Sequence, residues 1–577
     1  MRLGRRASNI GALAVYVGFA ALVLGRGVLA APGSTSLGDR GADKTIFMWS
    51  LVWWPHALAH GIDPFVSRAA WAPAGIDLSW VTAIPGPSIL AFPLTWMAGP
   101  IVTYNLLAIL APALAAWTAF LLARSLTGTF WPALVAGYLF GFSAYEIGQS
   151  SGHLNLTLVF LVPVCALLVT RRFAGELGRV RFVALLAAAL AFQFWTSTDM
   201  FSMTLIAALI FGLLAYWRLP DGRGRLRSIT GESMMALVLC GLLALPYLVH
   251  AFILTGPSYA PVRFPSRQAA DLANFVIPTR HTWLQPPGSS SIYARFSANP
   301  AEAGAYLGLP LVAILLLVAL RRRRPRAQSL LLLALCALCL CSLGSPVRFA
   351  GHTVAPLLWG LAEKVPIMRD VLPVRLSLFV ALCAALICAY WISEGGRRPY
   401  WRWALALAAV IALLPNPSRS FWTKAVPNPV FFTSDEEATA LTSADTALVL
   451  PFGKSGWSML WQAENHMRYR MIGGYLGSRP PSEARWSGVY RALITSEVPP
   501  HAGGIFRRFL ADHNANVVVI APGTRPSVRH LVETLPVRPV HDAGVTLYRL
   551  GRVRASVLAD AGEHSAPPEI PVHQATR

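Results

Sequence analysis

The first apolar run and the polar stretch after it decide the fold class. They read "NIGALAVYVGFAALVLGRGVLAA" (residues 9–31) and "LGDRGADKTIFMWSLVWWPHAL" (Leu37–Leu58). A helix needs about 20 apolar residues to cross a bilayer core, and the first run supplies them. A cleaved signal peptide is the competing interpretation, but the many later apolar runs favour a retained first span. Asp39 and Asp43 then follow closely after the end of a membrane helix.

The composition of the whole chain is that of an integral membrane protein. Its 577 residues are 55% hydrophobic and only 13% charged, and the mean hydropathy is +0.51. A soluble chain of this size carries about twice that share of charge. We predict an α-helical polytopic membrane protein with eleven spans, near 9–31, 102–123, 130–147, 154–170, 182–198, 200–217, 231–254, 302–320, 327–344, 374–393 and 403–420.

The charge distribution gives the predicted orientation. The loops on one side of these spans hold 20 arginines against three acidic residues, out of a net charge of +22. This is the positive-inside pattern, so the N-terminus is predicted to be cytoplasmic. The basicity is then a topology signal, which argues against a nucleic-acid partner.

Two further features set the domain organisation. The segment 84–100 is predicted to be interfacial or re-entrant, an interpretation supported by Pro85, Pro87 and Pro93, because counting it as a span would place "RRRRPR" (321–326) outside. The predicted domains are a membrane domain over 1–420 with a first outer loop at 32–101, an extracytoplasmic domain over 421–551, and a disordered tail over 552–577. Runs at 447–452, 516–522 and 545–550 resemble buried strands, so the outer domain is predicted to be a small α/β domain.

The first outer loop carries the first candidate site. Ile46, Trp49, Trp53 and Ala57 recur three or four residues apart, which predicts an amphipathic helix at the membrane interface. Asp39 and Asp43 precede this face. Two carboxylates there could deprotonate a hydroxyl or bind a cation, while ordinary loop acids beside an aromatic belt explain the same spacing.

Other polar residues are predicted on the same side. His153 and Asn155 lie in "SGHLNL", and Asp199 follows in the next outer turn. With the two first-loop aspartates, His153 and Asp199 could form a hard-cation site, although no spacing requires it. The outer arginines Arg369, Arg375, Arg263 and Arg267 could bind a lipid phosphate, and snorkelling to ordinary headgroups is the alternative.

Several motifs resemble one family. "GDRGADKTIFMWSLVWWPHALAHGIDPF", "WAPAGIDLSW", "PIVTYNLL", "SGHLNL" and "RDVLPVR" look like the bacterial multi-span membrane glycosyltransferases of the GT-C superfamily. The C-terminal "LVLPFGKSGWSMLWQAENHMRYRMIGGYLG" is similar to the outer domain of uncharacterised members. The sequon-reading "WWD"-type motif of oligosaccharyltransferases is missing, which disfavours protein N-glycosylation.

The resemblance implies an inverting hexosyl- or pentosyltransferase of the bacterial plasma membrane. It would move a sugar from a polyprenyl-phosphate donor to an extracytoplasmic glycan, lipid or protein during envelope biosynthesis. No cofactor is required, and a divalent cation is possible. The resemblance places a catalytic acid in the first outer loop, carried here to Asp39, with Asp43 second, while Arg375 and Arg369 would stabilise the leaving phosphate.

Further residues are assigned to substrate binding. Those predicted are His153, Asn155, His56, Arg263, Trp461 and Gln462, with Trp457, Tyr475 and His466 as further acceptor contacts of the outer domain. Core packing explains the C-terminal aromatics equally well. A membrane transporter or lipid-linked-sugar flippase is the alternative function, but the halves of the chain do not match and buried charge in the spans is rare. A non-catalytic scaffold is a third interpretation.

Overall fold

The structure is a computed structural model that describes residues 2–39, 43–255, 268–357, 359–362, 371–394, 400–434 and 441–551. It is mainly helical and divides into two compact units. The first unit comprises residues 1–39, 104–248 and 260–424, and the second comprises residues 40–103, 249–259 and 425–577. Each unit therefore combines segments that are distant in the sequence.

Seven helical segments within the described ranges are long and apolar enough to cross a membrane. They are Arg6–Gly25, Phe92–Thr127, Leu154–Phe173, Arg179–Thr196, Thr198–Arg218, Pro220–Leu243 and Pro373–Ser393. Four shorter apolar helices are Leu245–Leu254, Leu309–Ala319, Arg326–Ser342 and Tyr400–Ala412. These segments support a multi-pass membrane protein, whereas the count of eleven spans stays a prediction.

Some predicted spans are interrupted. The run at 130–147 forms two helices, Phe130–Gly141 and Ala144–Gln149, because the Ser143 side chain caps the second by accepting from the Glu146 amide. The run at 302–320 becomes helical only at Leu309, with Pro310 in its first turn. Two pairs of short strands also occur. Thr35–Leu37 pairs with Thr423–Ala425, and Val347–Phe349 pairs with His352–Ala355.

The segment 84–100 forms a helix, Pro85–Leu90, and the first turns of Phe92–Thr127. Gly99 interrupts the second helix with a φ of 79°, a conformation that favours glycine. Leu90, Trp96 and Met97 are exposed on this segment. The exposed apolar side chains fit the predicted position at the membrane interface.

The second unit contains a five-stranded mixed sheet. Its spatial order is Val540–Asp542, Val545–Arg549, Val517–Ile520, Thr446–Leu450 and Arg470–Met471. Thr446–Leu450 is parallel to both of its neighbours, and the other pairs are antiparallel. The three strands expected from the sequence lie in this sheet. Helices that accompany these strands in the C-terminal part of the unit include Val430–Thr433, Ser458–Glu464, Ser487–Thr495, Ala502–Asp512 and Pro526–Glu533.

Most of the first outer loop, residues 40–101, belongs to this unit. Its segment beside Ala69 extends the sheet, because Met471 donates its amide to the Ala69 carbonyl and the Ala72 amide donates to the Met471 carbonyl. Pairing of this kind protects an exposed sheet edge. The helix Asp43–Ala59 buries Trp49, Trp53 and Trp54 in the unit. The predicted face of Ile46, Trp49, Trp53 and Ala57 therefore packs inside the protein, and the prediction that it lies on the membrane interface is wrong.

Candidate active site

The backbone around Asp39 is fixed by the first unit. Gly38 donates its amide to the Trp422 carbonyl at 2.8 Å, and Asp39 donates to the Ser151 carbonyl at 2.7 Å. Gly38 has a φ of +108°, and a Cβ there would lie 2.6 Å from the Ser151 carbonyl oxygen. A larger residue is therefore excluded both by conformation and by space. The "GD" pair is a geometric unit that places the Asp39 side chain.

The Asp39 carboxylate forms an ion pair with Arg280. Nη2 of Arg280 lies 2.6 Å from Oδ2 of Asp39, and both side chains are 44% exposed. The guanidinium lies over the Phe421 ring, and Asn416 holds the Arg280 carbonyl at 3.1 Å. The Arg280 Nε is buried without a hydrogen-bond partner among the described residues. The pair is thus positioned by protein on one side and accessible on the other.

His281 follows Arg280 in the sequence and is buried. It is 1% exposed, with Nε2 at 2.8 Å from the Ser151 hydroxyl and Nδ1 at 3.2 Å from that of Thr279. Burial, with a smaller effect from Arg280, lowers the pKa of His281 to about 3 against an opposing effect of Asp39. A neutral imidazole holds the Ser151 loop, so His281 is a positioning residue and not the acid or base.

A second set of charges in this unit joins three predicted residues. Arg375 donates to Glu302 at 2.6 Å and to Asp199 at 2.9 Å. Gln149 donates to Glu302 at 2.9 Å, and its carbonyl oxygen lies 2.6 Å from Nδ1 of His153. The structure therefore connects His153, Asp199 and Arg375, through two residues that the sequence did not single out.

This network changes the predicted role of Arg375. Its side chain is 12% exposed and faces two carboxylates, which leave little net charge for a lipid phosphate. Burial raises the pKa of Glu302, but Arg375, His153 and Gln149 outweigh it and hold the pKa below its usual value. The network is structural, and the structure does not support Arg375 as the phosphate ligand. Asn155 is buried in the helix Leu154–Thr157.

Asp43 lies in the second unit with a different partner. The Tyr475 hydroxyl donates to Oδ1 of Asp43 at 2.7 Å, and the fully buried Lys44 has its Nζ 5.0 Å from the Trp457 ring. Burial, and to a smaller extent Asp43, raises the pKa of Tyr475, which stays a neutral donor.

His56 stacks on His60 with ring centroids 4.2 Å apart, and its pKa is lowered by burial and by the neighbouring histidines.

Trp461 and Gln462 are interior residues of the same unit, and the expectation that they bind sugar is corrected. Both are 0% exposed. Trp461 stacks on Phe432 and donates to the Pro427 carbonyl. Gln462 accepts from Trp49 Nε1 at 2.8 Å and donates to the Ala69 and Tyr469 carbonyls. Their hydrogen bonds hold the first outer loop on the sheet.

Three arginines predicted to bind a lipid phosphate, Arg263, Arg267 and Arg369, lie outside the described residues. Within the described ranges, no group of three or more histidine, cysteine or acidic side chains has a geometry that could hold a metal ion. The four-residue cation site considered from the sequence is not formed there, since Asp199 pairs with Arg375 and Asp39 pairs with Arg280.

Solved structures show what this fold resembles. The arabinofuranosyltransferase AftD from Mycobacteria matches with a TM-score of 0.53 at 16% identity, over 95% of this chain and 40% of that one. Its R1389S mutant, in class 2, matches with 0.55 at 16% identity, over 95% and 42%. An oligosaccharyltransferase from Archaeoglobus fulgidus in the apo form matches with 0.50 at 14% identity, over 89% and 69%. The chain thus spans about two fifths of the length of AftD.

These likenesses confirm the GT-C fold that the motifs predicted, at identities that establish architecture alone. No curated protein matches the sequence. A family profile, described as a domain of unknown function (DUF6311), matches residues 13–370. This match covers more than half of the sequence. The chain therefore belongs to the DUF6311 family.

Proposed function

We propose that this protein is a membrane glycosyltransferase that moves a sugar from a polyprenyl-phosphate carrier to an extracytoplasmic acceptor. The observation that carries the proposal is the Asp39–Arg280 pair, accessible and held by a dedicated backbone arrangement in a GT-C fold. The names of the similar structures, an arabinofuranosyltransferase and an oligosaccharyltransferase, agree with sugar transfer.

Asp39 acts as the general base in this mechanism. Its carboxylate accepts the proton of an acceptor hydroxyl while the hydroxyl oxygen attacks the anomeric carbon and the bond to the phosphate oxygen breaks. The anomeric centre is inverted, and the polyprenyl phosphate leaves with the bonding electrons. General-base assistance is typically worth about 10²–10⁴ in rate.

Arg280 takes the part that the sequence assigned to Arg375 and Arg369. Its contact with Asp39 holds the carboxylate in one position. The remaining N–H groups of the guanidinium can face the leaving phosphate, on which negative charge grows in the transition state. Loss of one such electrostatic donor typically costs about 10²–10³ in rate. A phosphate needs no protein acid to leave, and we propose no metal requirement.

The membrane arrangement completes the proposal. We infer eleven spans in a bacterial plasma membrane, with the N-terminus in the cytoplasm and the region after residue 421 outside, from the one-sided arginines of the sequence. We infer that the segment 84–100 lies at the outer membrane interface, which agrees with its exposed apolar side chains. The donor is a hexose or pentose on a polyprenyl carrier.

The experiment is sugar transfer by purified protein in liposomes, with radiolabelled polyprenyl-phosphate sugars and envelope extract as acceptor. Asp39→Asn and Arg280→Ala are compared with Asp221→Asn and Arg326→Ala. The control pair has the same chemistry at 2.8 Å but is 78% and 66% exposed, and it lies on the opposite predicted side.

We expect transfer by the wild type, a loss of at least 10²-fold in both site variants, and unchanged rates in both controls. A wild type without transfer across the panel contradicts the proposed function. Normal transfer by Asp39→Asn keeps the enzyme and moves the base to Asp43, for which Asp43→Asn is the corresponding variant.

A further inference from the structure

A polar cleft of about 440 Å³ lies at one end of the five-stranded sheet in the second unit. Its floor is Ile520–Pro522, where the central strand Val517–Ile520 ends. Arg529 lines it from the next helix, and His541 and Asp542 line it from the edge hairpin. Ligands of open α/β sheets bind outside the carboxyl ends of the strands. The volume falls within the usual range for small-molecule sites, about 300–1,000 Å³.

The charged side chains that line this cleft do not form an ion pair with each other. Over the part of the chain that the structure describes, neither Arg529 nor Asp542 belongs to an ion pair, although both line the same cleft. His541 is held across the hairpin by its Nδ1, 3.1 Å from the Thr546 hydroxyl. A cation, a carboxylate and an imidazole therefore remain available to a ligand.

The sequence around the cleft carries a net positive charge, although Arg529 is the one arginine of this stretch that lines the cleft. Residues 521–551 contain four arginines and two acidic residues, one of which is Asp542 itself. Guanidinium groups bind carboxylate and phosphate oxygens in a bidentate geometry. A carboxylate beside such a group repels a bare anion but accepts hydrogen bonds from hydroxyl groups. The combination fits a ligand that carries both an anionic group and several hydroxyls.

We propose that this cleft binds an anionic glycan, with Arg529 on its carboxylate or phosphate and Asp542 on its sugar hydroxyls. The inference rests on the proposed function in one respect, since the bound glycan would be the acceptor or part of it. The binding itself is independent of catalysis, because its residues are not those of the Asp39–Arg280 pair.

The test is equilibrium binding to the full-length protein in nanodiscs, followed by isothermal calorimetry and saturation-transfer NMR. The probes are a uronic-acid disaccharide, a phosphorylated disaccharide, a neutral disaccharide of equal size, and inorganic phosphate. The variants are Arg529→Ala and Asp542→Asn. The control is Arg508→Ala, an exposed arginine of the helix Ala502–Asp512 that does not line the cleft.

We expect saturable binding of at least one anionic disaccharide, with the better probe showing whether the anion is carboxylate or phosphate. Binding should weaken at least tenfold in Arg529→Ala, weaken several-fold in Asp542→Asn, and stay unchanged in Arg508→Ala. Equal affinity for the neutral disaccharide, equal affinity for phosphate alone, or an unaffected Arg529→Ala variant would each overturn the proposal. Thermal unfolding of each variant shows whether it is folded, and transfer by the wild type is scored separately.

Discussion

The buried charge network of the first unit gives a prediction that does not depend on the reaction. Glu302 and Asp199 bind the same guanidinium, but their side chains are 5% and 49% exposed. Removing one member of a buried pair leaves an uncompensated charge and costs about 3–5 kcal/mol. A half-exposed pair is worth about 0–1 kcal/mol. Glu302→Ala should therefore destabilise the protein several times more than Asp199→Ala.

The measurement is thermal unfolding of purified protein in detergent, followed by tryptophan fluorescence. The double variant Arg375→Met, Glu302→Leu supplies the internal control, because replacing a whole buried pair by apolar residues is often neutral or stabilising. We expect it to unfold at a higher temperature than Glu302→Ala. Equal shifts for Glu302→Ala and Asp199→Ala, or a double variant less stable than Glu302→Ala, would refute the reasoning.

The same pair has a pH signature. The pKa of Glu302 in the folded protein lies below its ordinary value of 4.5, because the effects of its partners outweigh that of burial. Its contribution to stability is therefore complete above about pH 4.5 and is lost as the pH falls through the lower, folded-state pKa. Glu302→Ala should remove this part of the acid destabilisation.

Three further predictions concern other sites. Tyr475→Phe removes the hydrogen bond to Asp43 and should cost about 1 kcal/mol of stability. Tyr469→Phe is the control, because it removes a buried hydroxyl without a partner among the described residues and should cost nothing. Equal shifts of the unfolding temperature in the two variants would contradict this. Gln462→Ala leaves the indole N–H of Trp49 and the Tyr469 carbonyl without this partner, while the Ala69 carbonyl keeps its bond from the Met471 amide. The loss should be about 2–4 kcal/mol and should lower the unfolding temperature strongly, without a selective change in KM. A raised KM at normal stability would restore a substrate role. Burial lowers the pKa of His281 from its ordinary value of 6.5 to about 3, so its contribution to stability is present above pH 6.5 and is lost between pH 6.5 and 3. In His281→Gln the unfolding temperature should depend less on pH in that window. An unchanged dependence would count against a neutral, buried imidazole.

The sequence predicted the fold through properties that are local along the chain. Apolar runs of membrane length and the one-sided arginines depend only on neighbouring residues. The "GD" pair was also visible, because Gly38 and Asp39 are adjacent. Arg280 was missed because it is 241 residues from Asp39, and no spacing rule connects an outer-loop arginine to one particular carboxylate.

The errors have the same origin. The tryptophans of Asp43–Ala59 recur at helical spacing, which is equally suitable for lipid headgroups and for a protein interior. Only the pairing of Trp49 with Gln462, 413 residues away, decides between them. Arg375 was read as a free cation because its carboxylates lie 73 and 176 residues distant. In each case the sequence identified the chemical group correctly but not its partner.

The two ion pairs of the first unit differ in the exposure of their side chains, and this difference indicates different roles. In the Arg375–Glu302 pair the side chains are 12% and 5% exposed, and a further carboxylate and an amide complete their hydrogen bonds. Such a pair holds helices and loops together but leaves no site for a substrate. In the Asp39–Arg280 pair both groups are 44% exposed, so the contact adds about 1 kcal/mol or less. Yet Gly38, Ser151 and His281 all restrain its backbone. Precise placement of a pair that contributes so little to stability is expected where the two groups act on a third molecule.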